Sequence, residues 1–217
     1  MPEPTRNALQ VIMAELSPLE GKALLDIGCG KGALHGPLTQ AGAQWRGIDP
    51  VATDTGLPID AAPAQKMPYP DNSFDAAICV NALHHVPVGA MDAALREAAR
   101  VLRPGALLVV IEPQATGALS QVIAVVDDET VIRAAAQEAM DRTTALVQIT
   151  AYDYARADRY AGFDRFCDVL ISVDPARAPE IAAQRDALRQ SFEDHARPVD
   201  GGWTLAQPMS VRVFRPA

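Results

Sequence analysis

Cysteine is scarce in this chain: Cys29, Cys79 and Cys167 are the three in 217 residues. An odd count with no paired spacing excludes a disulfide framework and points to a reducing compartment, so a cytoplasmic location is expected. No cysteine–histidine group has zinc spacing, so no metal is expected. Positive charge is also short. Lysine and arginine number 19 against 27 acids, a net charge of −8 and a pI near 4.9. Nucleic-acid partners call for a basic surface, so none is expected. No apolar run approaches the roughly 20 residues that span a bilayer, and no membrane partner is expected. Residues 1–20 are polar and helical in pattern, unlike a secretory signal. Internal repeats and low-complexity linkers are missing too. What remains is 49% apolar and should fold around a full core.

The most informative stretch is Leu24-Leu25-Asp26-Ile27-Gly28-Cys29-Gly30-Lys31-Gly32. An apolar run closes on Asp26, then glycines alternate, then a helical pattern begins. Without a Cβ the backbone turns sharply and a ligand can lie directly against it. The following helix offers its free N–H groups to the same space. This is a nucleoside-cofactor loop at the first strand-to-helix turn of an α/β sheet. Its spacing, D-x-G-x-G-x-G, misses the dinucleotide fingerprint G-x-G-x-x-G by one residue. Asp49 ends the second predicted strand, 17 residues after Gly32. A carboxylate there can accept both hydroxyls of a ribose.

The order of elements completes the fold class. Residues 5–16 pattern as an amphipathic helix, 23–27 as a buried strand, 32–41 as a helix and 44–48 as a second strand. Residues 57–61 read as a weak third strand, 74–80 as a fourth, 90–102 as a helix and 106–111 as a fifth strand. Further on, 128–143 and 152–161 read as helices, 166–173 as a sixth strand, 179–196 as a helix and 209–214 as a final strand. Alternating strands and helices predict an α/β, doubly wound, Rossmann-like sheet of seven mostly parallel strands, the last antiparallel. One domain over 1–217 is expected, with a cofactor half at 20–113 and a substrate-side cover at 114–217.

The glycine loop resembles motif I of the class I S-adenosylmethionine-dependent methyltransferases. Three further segments match in order. Ala64-Gln65-Lys66-Met67-Pro68-Tyr69-Pro70-Asp71-Asn72-Ser73-Phe74-Asp75 is similar to the family's segment before strand four, with Pro63 where an Asp is usual. Asn81-Ala82-Leu83-His84-His85-Val86 resembles its paired-histidine motif, and residues 96–105 its helix-to-strand-five segment. The likeness covers about residues 20–113 and resembles the small methyltransferases often called type 11. It implies S-adenosylmethionine held by Asp26, Gly28, Cys29, Gly30, Gly32, Asp49, Pro50, Ala64, Gln65 and Asn81. It also implies a small-molecule methyl acceptor, with His84 and His85 as the catalytic candidates at the carboxyl end of strand four.

Only seven residues separate Asp49 from Leu57. A parallel crossover normally takes a dozen or more, so the helix between strands two and three should be shortened or absent. The flank left bare there should be covered by a terminal segment or by a homodimer partner. Residues 152–166 hold Tyr152, Tyr154, Tyr160, Phe163 and Phe166 among arginines and aspartates, which reads either as a pocket wall or as core packing. His35 and His195 read as structural. Two rivals stand beside methyl transfer: a protein of this fold that binds the cofactor without transferring methyl, and an NAD-dependent oxidoreductase.

Overall fold

A computed structural model describes residues 6–51 and 54–217. They divide into two compact units. One holds residues 6–112, 135–153 and 210–217, and the other holds 113–134 and 154–209.

The first unit opens with α1, Ala8–Leu16. Asn7 caps it: its Oδ1 accepts from Gln10 N, and Gln10 Oε1 accepts from Asn7 N, both at 2.9 Å. Four parallel-paired strands follow: β1 (Ala23–Ile27), β2 (Gln44–Asp49), β3 (Ile59–Ala61) and β4 (Phe74–Val80). The short helix α2, His35–Gln40, joins β1 to β2, starting three residues later than its pattern predicted. Helix α3, Met91–Val101, buries Met91, Ala94, Leu95, Ala98 and Val101, the 3–4 spacing of one helical face. It leads into β5, Leu102–Pro113, parallel to β4. Leu25, Ile27, Ile48, Ala77, Cys79, Leu108 and Val110 pack with this helix face in one core. β1 is buried at four of its five residues, as a continuous apolar strand at the middle of a sheet must be.

The rest of the chain supplies α4 (Ala118–Ile123), α5 (Thr130–Arg142), β6 (Leu146–Tyr160), α6 (Phe163–Val173), α7 (Ala178–Ala183), α8 (Arg185–His195), β7 (Arg197–Val199) and β8 (Gly202–Pro216). The sheet path runs β3-β2-β1-β4-β5-β8-β6, seven strands as expected. The three-residue β7 adds an eighth, pairing antiparallel with β8.

Three expectations fail. Residues 152–161 are strand, not helix. Tyr154 and Tyr160 are buried and even-spaced, a period of two that helix-favouring Ala and Arg residues obscured. Residues 166–173 are helix, not strand. Phe163, Phe166, Cys167 and Leu170 are the buried set, spaced 3, 1 and 3, while Val169 and Ile171 mimic a strand run. The helix expected at 179–196 breaks at Gln184, whose φ of −109° and ψ of 22° leave the helical region. In the second unit Tyr160, Phe163, Phe166, Phe192 and Trp203 form one aromatic cluster with ring centroids 5.1–6.5 Å apart. The aromatic stretch is therefore largely core packing.

The short crossover holds no helix at Pro50, Val51 or 54–58; Ala52 and Thr53 lie outside the described residues. Side chains of the chain itself pack on this flank. A Cβ on Gly32 would meet Leu57 Cδ1 at 2.5 Å and both Ile59 Cδ1 and Trp45 Cη2 at 3.5 Å, so these groups converge there. His35 meets the Trp45 ring edge-on at 5.0 Å, and Trp45 is 6% exposed. Arg46, also on β2, pairs instead with Asp60 at 2.7 Å, and Tyr69 donates to the same carboxylate. These side chains cover part of that flank, with Leu57 and Ile59 half-buried, while Val51 beside them stays 78% exposed.

Candidate functional site

β1 is buried and ends at Ile27, so the chain must turn sharply at the sheet's carboxyl edge. Gly28 and Gly30 do so with φ of +71° and +54°. A Cβ on Gly28 would collide with Ala82 Cβ, so the loop lies directly against the turn after β4. A Cβ on Gly30 would meet no described atom within 4 Å. Gly30 is thus the open face of the loop, and Gly28 the packed one.

The loop is latched to β2. Gly28 N and Cys29 N donate to Ile48 O at 2.8 and 3.2 Å. Gly30 N donates to Asp49 Oδ2, and Val51 N to Asp49 Oδ1, each at 2.9 Å. Asp49 therefore fixes the loop and keeps lone pairs free for a ribose. Pro50 forms the exposed turn beyond it. Asp26 lies lower, 3% exposed, with Trp45 Nε1 donating to it at 3.2 Å. Burial pushes its carboxyl up to about 7, against the hydrogen bond from Trp45, and Asp49's charge adds to the rise. Cys29 is held up to about 12 by burial and by the charges of Asp26 and Asp49, so its thiol stays protonated and unreactive.

The adenine-side segment is held from α3. Glu97 Oε2 accepts from Met67 N at 2.8 Å. Arg100 donates to Met67 O at 3.2 Å, to Tyr69 O at 2.8 Å, and to the Glu97 and Asp71 carboxylates. Ala64 and Gln65 are half-buried in the turn where Lys66 N donates to Pro63 O at 3.0 Å. Pro63 brings no N–H, so this turn offers one backbone donor fewer. Sequence reasoning missed the bracing role of Glu97 and Arg100, although their i, i+3 spacing on a predicted helix was visible.

Asn81 follows β4 with a φ of +51°, a conformation Asn tolerates better than most residues. Its N–H donates to Ile111 O at 2.8 Å. Its side-chain Oδ1 is buried and has no hydrogen-bond partner among the described residues. A buried acceptor without a donor is costly, and a bound ligand's N–H or O–H would satisfy it.

The two histidines differ. His84, in the 3₁₀ turn Leu83–His85, is 4% exposed, whereas His85 is exposed; their ring centroids lie 4.0 Å apart. His84 Nδ1 bonds Glu112 Oε2, and Glu112 is fully buried. Glu112 Oε1 also accepts from Ala82 N at 2.9 Å and Leu83 N at 2.8 Å. One carboxylate thus fixes the turn and one imidazole. Glu112 was missed because it sits at the end of an apolar strand, 28 residues from its partner. His195 Nδ1 bonds Ser191 O at 2.8 Å within its own helix, a structural role.

A family model described as a methyltransferase domain matches residues 25–110. Over these residues the chain is similar to methyltransferases. The match takes in the glycine loop, Asp49, Asn81 and both histidines, and stops two residues short of Glu112. Among curated proteins the chain is similar to a ubiquinone biosynthesis O-methyltransferase of Methylobacterium sp. (strain 4-46). The two are 33% identical over 102 residues, 42% of this chain and 40% of that protein. A fatty-acid O-methyltransferase of Mycolicibacterium smegmatis is 36% identical over 105 residues, 42% and 37% of the two chains. The matches thus span about two-fifths of these relatives' own length. Among solved structures, a methyltransferase-like protein of Bacillus halodurans C-125 superposes with a TM-score of 0.63 at 16% identity, covering 97% of this chain and 99% of that one. The [4+2]-cyclase SpnF gives 0.58 at 21%, covering 95% and 79%. The methyltransferase fold therefore extends over nearly the whole chain.

S-adenosylmethionine is the cofactor of this domain, and the residues present fit it. The open face at Gly30, the free lone pairs of Asp49 and the orphaned Asn81 Oδ1 offer room, a ribose acceptor and an acceptor for an ammonium group. No helix among the described residues is long and apolar enough to cross a membrane.

Proposed function

We propose that the protein transfers a methyl group from S-adenosylmethionine to an oxygen of a small organic acceptor. One observation carries the reading. The loop at Gly30 is open and latched by Asp49, and its Gly28 packs against Ala82, the residue after the unsatisfied Asn81 acceptor, within a stretch that matches a methyltransferase domain. In this proposal Gly28 and Gly30 let the cofactor approach the backbone, Asp49 takes the ribose hydroxyls and Asn81 the amino-acid portion. Ala64, Gln65 and Pro50 border the adenosine, while Asp26, Cys29 and Gly32 shape the loop from below. Oxygen is favoured as the accepting atom because the relatives above are O-methyltransferases. The cofactor supplies a methyl group on a positively charged sulfur, ready for in-line displacement. The protein's part is to align the nucleophile and exclude water, which can lower a barrier by roughly 7–11 kcal/mol.

The domain comprises all of 1–217, with 114–217 on the acceptor side. The acidic balance fits a cytoplasmic enzyme with no nucleic-acid partner. A thermal-shift panel of S-adenosylmethionine, S-adenosylhomocysteine and NAD tests the cofactor. A ligand at 100 times its Kd adds about 2.7 kcal/mol. Stabilisation by NAD alone would overturn the reading in favour of an oxidoreductase. S-adenosylhomocysteine formation is then followed with phenols and carboxylic acids as acceptors. Binding without turnover on any acceptor would favour a non-transferring protein of the same fold.

A further inference from the structure

The second unit carries a buried ionic network for which the methyl-transfer reading has no use. Arg133, on α5, and Glu129 are each 8% exposed. Arg133 Nη2 donates to Glu129 Oε2, and Nη1 donates to Ser120 Oγ at 2.5 Å. Ser120 is held in turn by donating to Gln207 Oε1 at 2.7 Å, and Gln207 Nε2 donates to Gln114 O at 2.8 Å. Arg177 donates to Asp127 Oδ2 at 2.7 Å and to Glu129 Oε1 at 3.1 Å. Two carboxylates thus face two guanidinium groups, and the charges balance. Arg133 Nε is left over: it is buried and has no hydrogen-bond partner among the described residues. The same arginine lines a narrow cleft with Ala115, Ser120, Ile123, Asp127, Glu129 and Thr130. Ser120, Ile123, Glu129 and Arg133 are buried, whereas Ala115 and Asp127 are half-buried and Thr130 is exposed, so the cleft has an open rim. The enclosed space is about 10 Å³, room for one oxygen-sized group.

We propose that this cleft is a binding subsite for the carbonyl oxygen of a neutral small molecule, held by Arg133 Nε–H while the body of the ligand stays at the rim. Arginine offers donors and no acceptor, so a cation has nothing to bind there. An anion would add a negative charge beside Asp127 and Glu129, whose charges Arg133 and Arg177 already balance. An apolar group would leave the buried N–H unpaired. A neutral oxygen acceptor remains, and a carbonyl has two lone pairs and no proton of its own to place. The fork is ready for it: with Glu129 and Ser120 fixing the guanidinium on two sides, little side-chain freedom is left to lose on binding. The subsite belongs to the second unit alone and does not rest on the methyl-transfer reading.

Acetamide and its isostere acetate test the subsite on the full chain, read by ¹H–¹⁵N NMR at the arginine Nε–H resonances. The Arg133 resonance is assigned through its bonded side-chain protons and checked by its loss in Arg133→Lys, where the lysine can still pair with Glu129. Acetamide should shift this resonance saturably, with half-saturation on the order of 10 mM, as suits a ligand of so few atoms. Acetate at equal concentration should leave it in place. Ala115→Leu fills the rim without touching the ion pairs, so the resonance should persist there and no longer respond to acetamide. No saturable shift in the wild type means that the cleft holds water alone, and overturns the proposal. A shift by acetate as large as that by acetamide, or one that survives Ala115→Leu, overturns it as well. The source of the carbonyl is read from kinetics with an acceptor found in the panel above. If the methyl acceptor supplies it, acetamide competes with that acceptor, and Arg133→Lys raises its KM roughly tenfold with kcat little altered. If a separate small ligand supplies it, the acceptor kinetics are insensitive to acetamide. Either result, on top of the NMR shift, supports the subsite. A protein that methylates nothing in the panel defeats the methyl-transfer reading, while the NMR result still decides the cleft.

Discussion

Asp26 should make the protein less stable as pH rises, and Asp26→Asn should remove that dependence. The side chain is 3% exposed and its carboxyl is pushed up to about 7 from an ordinary 3.8. Below pH 4 it is protonated in both folded and unfolded chains and contributes no slope. Between pH 4 and 7 the folded chain holds a proton that the unfolded chain has released, so stability falls with pH by about 1.4 kcal/mol per unit. Above pH 7 both states are ionised and the loss levels off. Over roughly three units the total is about 4 kcal/mol. Asn at this position keeps an acceptor for the Trp45 indole and cannot ionise. Any constant cost of its buried NH₂ is the same at every pH, so the informative quantity is the change in the variant-minus-wild-type difference. Urea unfolding of both proteins at pH 4, 5, 6, 7 and 8 measures it. The difference should move in favour of Asp26→Asn by about 4 kcal/mol from pH 4 to pH 8. A difference flat to within about 1 kcal/mol would show that Asp26 ionises freely in the folded protein, and the desolvation argument would fail.

Asp49→Ala should weaken S-adenosylmethionine binding by at least about 1.5–3 kcal/mol by calorimetry, because the loop latch at Gly30 and Val51 goes with the ribose acceptor. Unchanged affinity would remove Asp49 from the site. Gly30→Val should be worse still, since a branched side chain at a φ of +54° is strained and fills the open face. Phe166→Ala, at the centre of the second unit's aromatic cluster, should cost about 3–5 kcal/mol in urea unfolding. A loss under about 1 kcal/mol would mean that the cluster is not a cohesive core. Chelation with EDTA should leave turnover intact, and activity lost in chelator and restored by a divalent metal would refute the metal-free reading.

The sequence by itself determined the cofactor half. The run Leu24–Ile27, the alternating glycines and Asp49 are local signals: a buried strand, a backbone that only glycine readily adopts, and an acid at a strand end. Each is fixed within a few residues, so each can be read without knowing what packs on it. The shortened crossover was legible too, because seven residues leave no room for a full helix with its connections, and none is found among the described residues. Tertiary structure decided the rest. Residues 152–160 contain good helix formers, yet sheet pairing made them a strand, because the burial of Tyr154 and Tyr160 outweighs a weak local preference. Residues 163–173 took helix because Phe163, Phe166, Cys167 and Leu170 could share one buried face. On the flank beside β2, Trp45, Leu57 and Ile59 converge on Gly32, a packing that no single stretch of sequence displays. Glu112 was beyond the reach of sequence reasoning. Its role depends on a hydrogen bond that spans 28 residues and exists only because β4 and β5 lie side by side in register. Pairwise geometry of that kind comes from the assembled sheet, which is why the paired histidines were visible in the sequence and the carboxylate that holds one of them was not.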